Sequence, residues 1–218
     1  MGIFSRKRYG ERACGYEINI GYVFKMEIIL ASSNKHKVQE INEIVKASYP
    51  ESNIKFILPP EGFDPVEDGK TFEENSYIKA LAAWKLGKTW TLADDSGLCI
   101  DALNGNPGIY SARYAETPEL RIQRVLRELE SVSDDKRTAR FCCAMTLINP
   151  KGEIEYKTLG KCEGKIINEA RGVNGFGYDP VFMPDGYNVT IAELSEEEKN
   201  EISHRGNALR SVLDYIAK

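Results

Sequence analysis

From Met26 the chain reads MEIILA, then SSN, then KHKVQEINEIVKA, an Ile-rich run, a polar triplet and a segment with apolar residues at Val38, Ile41, Ile44 and Val45. The first run has the length and composition of a buried strand. The triplet can satisfy the free N–H groups of a helix start, and the three- and four-residue spacing places the later apolar side chains on one helical face. A second short apolar run, IKFIL at 54–58, follows. Strand, tight turn, amphipathic helix and strand in this order predict the α/β class, and the rest of the chain continues the alternation.

After an acidic loop, PPEGFDPVEDGK, Thr71 and Glu74 fit a capping box that opens a helix running to about Leu86 and stopping at Gly87. WTLAD and LCID read as two strands on either side of a turn, Asp94-Asp95-Ser96-Gly97. PELRIQRVLRELES then predicts a helix with Pro118 at its start. TARFCCAMTLI and EIEYKTL flank Asn149-Pro150-Lys151-Gly152, a hairpin signal, and CEGKII predicts a third neighbouring strand. Ser195 with Glu198 is a second capping box, and NALRSVLDYIA closes the chain with Leu209, Val212, Leu213 and Ile216 on one face. There are no repeats, linkers or low-complexity tracts. The expectation is one domain over 26–218 with a mixed sheet, preceded by a poorly ordered extension over 1–25 that lacks the periodicity of the rest.

Composition narrows the function. With 42% hydrophobic and 28% charged residues the chain is an ordinary globular one, and 29 basic against 33 acidic side chains argue against holding a nucleic acid by charge alone. The longest uncharged run, Ala102 to Ala112, is 11 residues and contains Asn, Gly and Pro, far from a spanning helix. In the first 25 residues Glu17 and Lys25 bracket a short apolar stretch with no small-residue cleavage site, so no membrane partner and a non-secretory, cytoplasmic protein are expected. Cys14, Cys99, Cys142, Cys143 and Cys162 form an odd set without a CxxC pair, which reads as buried thiols.

Four segments can carry chemistry. Ser32-Ser33-Asn34-Lys35-His36-Lys37 lies where a helix begins, a place that favours an anion, although a solvated first turn would look the same. Glu67-Asp68, Glu73-Glu74 and Asp94-Asp95-Ser96 offer hard oxygen ligands of the kind Mg²⁺ takes, or else favourable charge at a helix start and a plain turn. Adjacent aspartates at the mouth of an apolar strand are costly unless something neutralises them. GVNGFGYD, ending at Asp179, holds three glycines and two aromatics in eight residues, suited to a stacked base or to a surface loop. Ser203-His204-Arg205-Gly206 offers an imidazole and a forked donor for carbonyl or phosphate oxygens. A partial Nudix-like pattern around Glu119 to Leu129 fails where chemistry would need it, because Ser131-Val132 replaces the metal-binding Glu-Glu.

In order along the chain, SSNKHK (32–37), FEENSYIKA (72–80), ADDSGLCIDALNGNPGIYSARYA (93–115), GFGYDPVF (175–182) and EEKNEISHRGNAL (197–209) resemble the Ham1-like inosine/xanthosine triphosphate pyrophosphatases. The resemblance implies a twisted mixed sheet flanked by helices, forming two lobes with the active-site cleft between them, and a homodimer. It implies Mg²⁺-dependent cleavage of ITP, dITP and XTP between the α- and β-phosphates, giving a nucleoside monophosphate and pyrophosphate. Carried over by motif position, Asp95 is the catalytic acidic residue and a metal ligand, and Glu67 the second metal ligand. Ser32, Ser33, Asn34, Lys35, His36, Lys37 and Lys79 face the triphosphate, with Ser96 beside the metal. Phe176, Gly177, Tyr178 and Asp179, with Lys199, His204 and Arg205, hold the base, Arg205 as a donor to the C6 carbonyl. Two other readings stay open. A Maf-type nucleotide pyrophosphatase shares Leu30-Ala31-Ser32 but needs a Ser-Pro-Arg-Arg that is missing here, and a silent nucleotide-binding module would not need the intact Asp94-Asp95-Ser96.

Overall fold

In the computed structural model the described residues are 26–32, 34–52, 54–59 and 61–217, so the segment 1–25 and Cys14 lie outside the description. Strand β1 (Met26–Leu30) leads through helix α1 (Lys35–Ser48) to β2 (Ile54–Ile57), and helix α2 (Phe72–Gly87) leads on to β3 (Thr91–Ile100). These two helical crossovers are what parallel pairing requires, and β1 pairs in parallel with both β2 and β3. Helix α3 (Pro118–Glu128) then precedes three antiparallel strands, β4 (Thr138–Ile148), β5 (Ile154–Ile166) and β6 (Phe182–Pro184). Helices α4 (Glu196–Ile202) and α5 (His204–Ile216) end the described chain. The result is one mixed six-stranded sheet of order β2-β1-β3-β4-β5-β6, flanked by helices, as the α/β expectation required.

Local chemistry sets the ends of the elements. At Asn149–Gly152 the Asn149 side-chain oxygen accepts from the N–H groups of Lys151 (3.0 Å) and Glu153 (3.1 Å), while Gly152 takes a φ of 86° that only glycine adopts freely. Ser195 and Glu198 form both halves of the predicted capping box of α4. At α2 only one half forms. Thr71 Oγ1 accepts from the Glu74 N–H, but the Glu74 carboxylate turns back to the Lys70 N–H at 2.5 Å.

Two sequence expectations are corrected. Asp94-Asp95-Ser96-Gly97 is not a turn, because every residue from Thr91 to Ile100 pairs with β4, and the strands predicted on either side of it are one. Likewise EIEYKTL and CEGKII are one strand rather than two, joined through Gly160. What looked like a glycine break is a point of close approach. A Cβ on Gly160 would stand 2.2 Å from the His204 carbonyl oxygen and 2.5 Å from the Ala208 nitrogen, so its absence is what lets α5 lie against β5. Strand β6, three residues long, is too short to have left a pattern.

The core divides along β3. Leu92 packs with Ile28, Leu30, Ile41, Met145 and Leu209 under α1 and α5. On the opposite face Ala93 packs with Ala80, Ala83 and Ile148 under α2. Further along, Leu98 and Ile100 join Val125, Phe141, Val181 and Phe182 in a separate cluster with α3. Along β3, residues 94–97 lie between the first two clusters and the third. Of the four described cysteines, all free thiols, Cys142, Cys143 and Cys162 are buried and Cys99 is half-buried. Replacing Gly160 by Ala inserts a methyl group into backbone that cannot yield cheaply. It should destabilise the protein by about 2–3 kcal/mol, read as a lower urea midpoint. An unchanged midpoint would contradict this account of the α5–β5 contact.

Candidate active site

Successive strand residues face opposite sides of a sheet, so the Asp94-Asp95 step in β3 sends one carboxylate to each face. Asp94 points with Leu92 toward α1 and α5 and is 1% exposed. Its Oδ2 receives Lys37 Nζ at 2.8 Å and the Arg205 guanidinium at 3.4 and 3.5 Å. Arg205, equally buried, also donates through Nη1 to Glu40 and through Nη2 to Ser96 Oγ at 3.0 Å. Burial pushes the Asp94 carboxyl up, but Lys37, Arg205 and Lys79 outweigh it and hold the group well below the usual carboxylate range.

Asp95 points with Ala93 toward α2. Its Oδ1 lies 3.2 Å from Lys79 Nζ, and its Oδ2 accepts from Asn75 Nδ2 at 3.1 Å. The same ammonium reaches Glu67 Oε2 at 3.1 Å, so two carboxylates share one cation. Burial raises the Asp95 carboxyl, and the combined pull of Lys79, Lys37 and the Asn75 hydrogen bond does not restore it, with Glu67 pushing it up further. For Lys79 burial alone would lower the ammonium, but Asp94, Asp95 and Glu67 hold it above its ordinary value and keep it charged.

Both faces open into one cleft of about 400 Å³, within the ordinary size range of small-ligand sites. At one end stand Ser32 and Asn34 from the β1–α1 connection and Lys37 from the first turn of α1, together with Glu67, Lys79 and Asp95. Ser32 Oγ accepts from the Asn34 N–H at 3.2 Å, tying the β1–α1 connection together. Ser33 and the side chains of Lys35 and His36 lie outside the described residues.

At the other end the Phe176–Asp179 segment forms the wall. Gly175 and Gly177 take φ of 73° and 63°, and a Cβ on Gly175 would stand 2.2 Å from Asp179 Oδ2. That oxygen receives the Phe176 N–H and Lys199 Nζ, both at 2.9 Å. Burial raises the Asp179 carboxyl despite Lys199. Lys199 Nζ sits 4.6 Å from the centre of the Phe176 ring and the Arg205 guanidinium 5.8 Å from it. Tyr178 donates to the Ser111 carbonyl at 2.9 Å. His204 stacks on Phe141 with centroids 4.9 Å apart. Burial, with Arg205 and Lys199 nearby, drives its imidazole well below the ordinary value, so it is neutral.

Thus Ser32, Asn34, Lys37, Glu67, Lys79, Asp95, Ser96, Phe176, Gly177, Tyr178, Asp179, Lys199, His204 and Arg205 all line one cleft. The structure qualifies one assigned role. Of the five N–H donors of Arg205, four engage Glu40, Asp94 and Ser96, so at most one Nη1 N–H remains for a base carbonyl. Sequence reasoning left Glu40 and Asn75 without roles and named Asp94 only within a candidate Mg²⁺-binding cluster. Glu40 and Asn75 stand three and four residues from Lys37 and Lys79 on their helices, a spacing that marks a shared face.

Residues 28–215 match the model of the Ham1 family. The chain is 46% identical over 194 residues to a dITP/XTP pyrophosphatase of Oceanobacillus iheyensis, covering 87% of this chain and 98% of that one. A Treponema denticola protein of the same name is 46% identical over 200 residues, with 88% and 98% covered. Among solved structures, a HAM1 protein from Coxiella burnetii superposes with a TM-score of 0.76 at 42% identity, covering 88% and 98% of the two chains. The Staphylococcus aureus Ham1 protein gives 0.77 at 39%, with the same coverage. On this evidence the chain belongs to the Ham1 family.

Proposed function

We propose that this protein hydrolyses the non-standard purine nucleoside triphosphates ITP, dITP and XTP to the monophosphate and pyrophosphate, cleansing the nucleotide pool. The observation that carries this reading is one cleft with a carboxylate–lysine cluster at one end and an aromatic wall at the other, in a chain so similar to dITP/XTP pyrophosphatases.

The donor set fits Mg²⁺. Asp95 and Glu67 aim hard oxygens at one point, now met by the Lys79 ammonium. Among the described residues no set of three or more His, Cys, Asp or Glu side chains is grouped to hold a metal, so an ion on this pair would keep water and phosphate oxygens as its other ligands, as Mg²⁺ usually does. When bound, the ion would neutralise phosphate charge and polarise the bond to be broken.

The protein's own groups do the rest. Lys37, Lys79 and the free N–H groups at the start of α1 hold the triphosphate, with Ser32 and Asn34 lining its path. Asp95, its Oδ2 oriented by Asn75 and its proton affinity raised by burial, aligns the attacking water and takes its proton. The Phe176 face stacks on the base, while Lys199, His204 and the last Arg205 donor meet its polar edge. Donors to a C6 carbonyl leave adenine's own amine unpaired, which costs adenine about 1–3 kcal/mol. The active species in this reading is a cytoplasmic homodimer, whose state light scattering of the purified protein would measure. No described helix is long and apolar enough to cross a membrane.

The adjacent aspartates should fail differently. Asp95→Asn should stay folded and lose at least about 100-fold in turnover of ITP, read as pyrophosphate release. Turnover within a few-fold of wild type would overturn the assignment. Asp94→Asn should instead unfold more easily by about 3 kcal/mol in urea, because buried Arg205 and Lys37 lose their shared counterion. Phe176→Ala should weaken ITP, XTP and GTP together by about 1–3 kcal/mol in kcat/KM, the size of a lost stacking contact. A loss confined to one base would contradict a stacking role.

A further inference from the structure

Arg121, in the first turns of α3, lines the cleft at its aromatic end. Its Nε donates to the Ala115 carbonyl oxygen at 3.0 Å, which anchors the guanidinium just beyond the 3-10 turn Gly108–Arg113. The two terminal NH₂ groups have no hydrogen-bond or ion-pair partner among the described residues. The other cations of the interior are each matched. Lys37 pairs with Asp94, Lys79 with Glu67 and Asp95, Lys199 with Asp179, and Arg205 with Glu40 and Asp94. Arg113, which also lines the cleft, is exposed to solvent and lies over the Tyr110 ring, 5.9 Å from its centre. Arg121 therefore brings two open NH₂ groups to the wall of the site, its charge opposed through space by Glu119 on its own helix.

Its position along the cleft is set by Tyr178 and Ser111. Tyr178 bonds the Ser111 carbonyl, and Ser111 Oγ accepts the Leu98 N–H at 2.9 Å. Leu98 is three residues from Asp95, about 10 Å along the strand, so Arg121 stands at the base end rather than among the phosphate-binding lysines. Burial holds the Tyr178 phenol well above its ordinary value, with Arg121 the strongest charge acting against it, and both side chains line the same cleft.

This rests on reading the cleft as a purine nucleoside triphosphate site. The two bases such a site would take differ in charge. A xanthine ring on ribose gives up its N3 proton slightly below neutral pH and is an anion above it, whereas hypoxanthine stays neutral there. We propose that Arg121 is a specificity-determining residue that favours the xanthine nucleotide by answering the negative charge of its ring.

Of the groups facing this end, Asp179, whose carboxyl burial raises, is the same in wild type and both Arg121 variants, so a pH dependence of its own survives the substitutions. His204 is held neutral and Tyr178 protonated, while Lys199 and Asp179 are ion-paired, as is Arg205 with its two carboxylates. On α3 itself Arg124 is bonded to Glu128, and Glu119 is held below the usual carboxylate range by its own backbone N–H, by Thr117 and, more weakly, by Arg121.

The test is kcat/KM for XTP and for ITP with the full chain and Mg²⁺, from about pH 5 to about pH 8, in wild type, Arg121→Gln and Arg121→Lys. Phosphate ionisation and metal loading act on both substrates and leave the ratio of the two untouched. The wild-type XTP-to-ITP ratio should rise with pH. Arg121→Gln should flatten that rise and lower the ratio at the alkaline end by about tenfold, the scale of one charge-assisted hydrogen bond. Arg121→Lys should recover part of it. An equal loss on both substrates, or a ratio unmoved in both variants, would overturn the proposal and leave Arg121 an anchor for the Ala115 loop. A wild type that hydrolyses neither nucleotide would instead overturn the reading of the cleft.

Discussion

The structure turns on two aspartates one step apart in a central strand. Because strand side chains alternate, Asp94 and Asp95 cannot share a face, and each must be neutralised by a different helix. Lys37 of α1 and Arg205 of α5 meet the first, and Lys79 of α2 meets the second. The β3 backbone thereby fixes helices on both sides of the sheet at one point, and that point is the floor of the cleft.

The two carboxylates differ because their surroundings do. A buried ion pair repays its desolvation only when the geometry is good and the remaining polar atoms are satisfied. Around Asp94 two cations, Lys37 and Arg205, face two carboxylates, Asp94 and Glu40, so the charges balance, although Asp94 Oδ1 and Glu40 Oε1 are buried without a hydrogen-bond partner. Around Asp95 a single cation, Lys79, serves both Asp95 and Glu67. The balanced side is a structural clamp. The other carries surplus negative charge that suits the site to a further cation, and burial, with Glu67 adding to it, raises the proton affinity of Asp95. One dipeptide thus supplies a permanently ionised anchor and a group whose proton affinity is tuned for reaction, divided by the pleat alone.

Much of this was legible in the sequence. The strand–turn–helix opening, the Asn149–Gly152 hairpin and the cap at Ser195 are decided by local chemistry and formed as expected. So was the set of motifs that converge on the cleft, because their residue types are unusual for a core or for a plain surface. Where local reading failed, long-range contacts had overridden it. Asp94-Asp95-Ser96-Gly97 has the composition of a turn, yet the complete ladder to β4 and cations arriving from more than one helix make it a strand. Gly160 resembles a break, yet it marks where α5 needs room. Arg205 offers donors suited to a base carbonyl, and no local signal shows that Glu40, 165 residues away, already holds one of them.

The central claim, that neighbouring carboxylates have opposite electrostatic fates, is tested most directly by following their side-chain ¹³C resonances through an acid titration of the protein without metal or nucleotide. The account predicts that Asp94 stays ionised below the ordinary Asp range, near pH 4, while Asp95 takes up its proton above it. Two aspartates titrating together near the ordinary value, or Asp95 holding its charge to lower pH than Asp94, would contradict it.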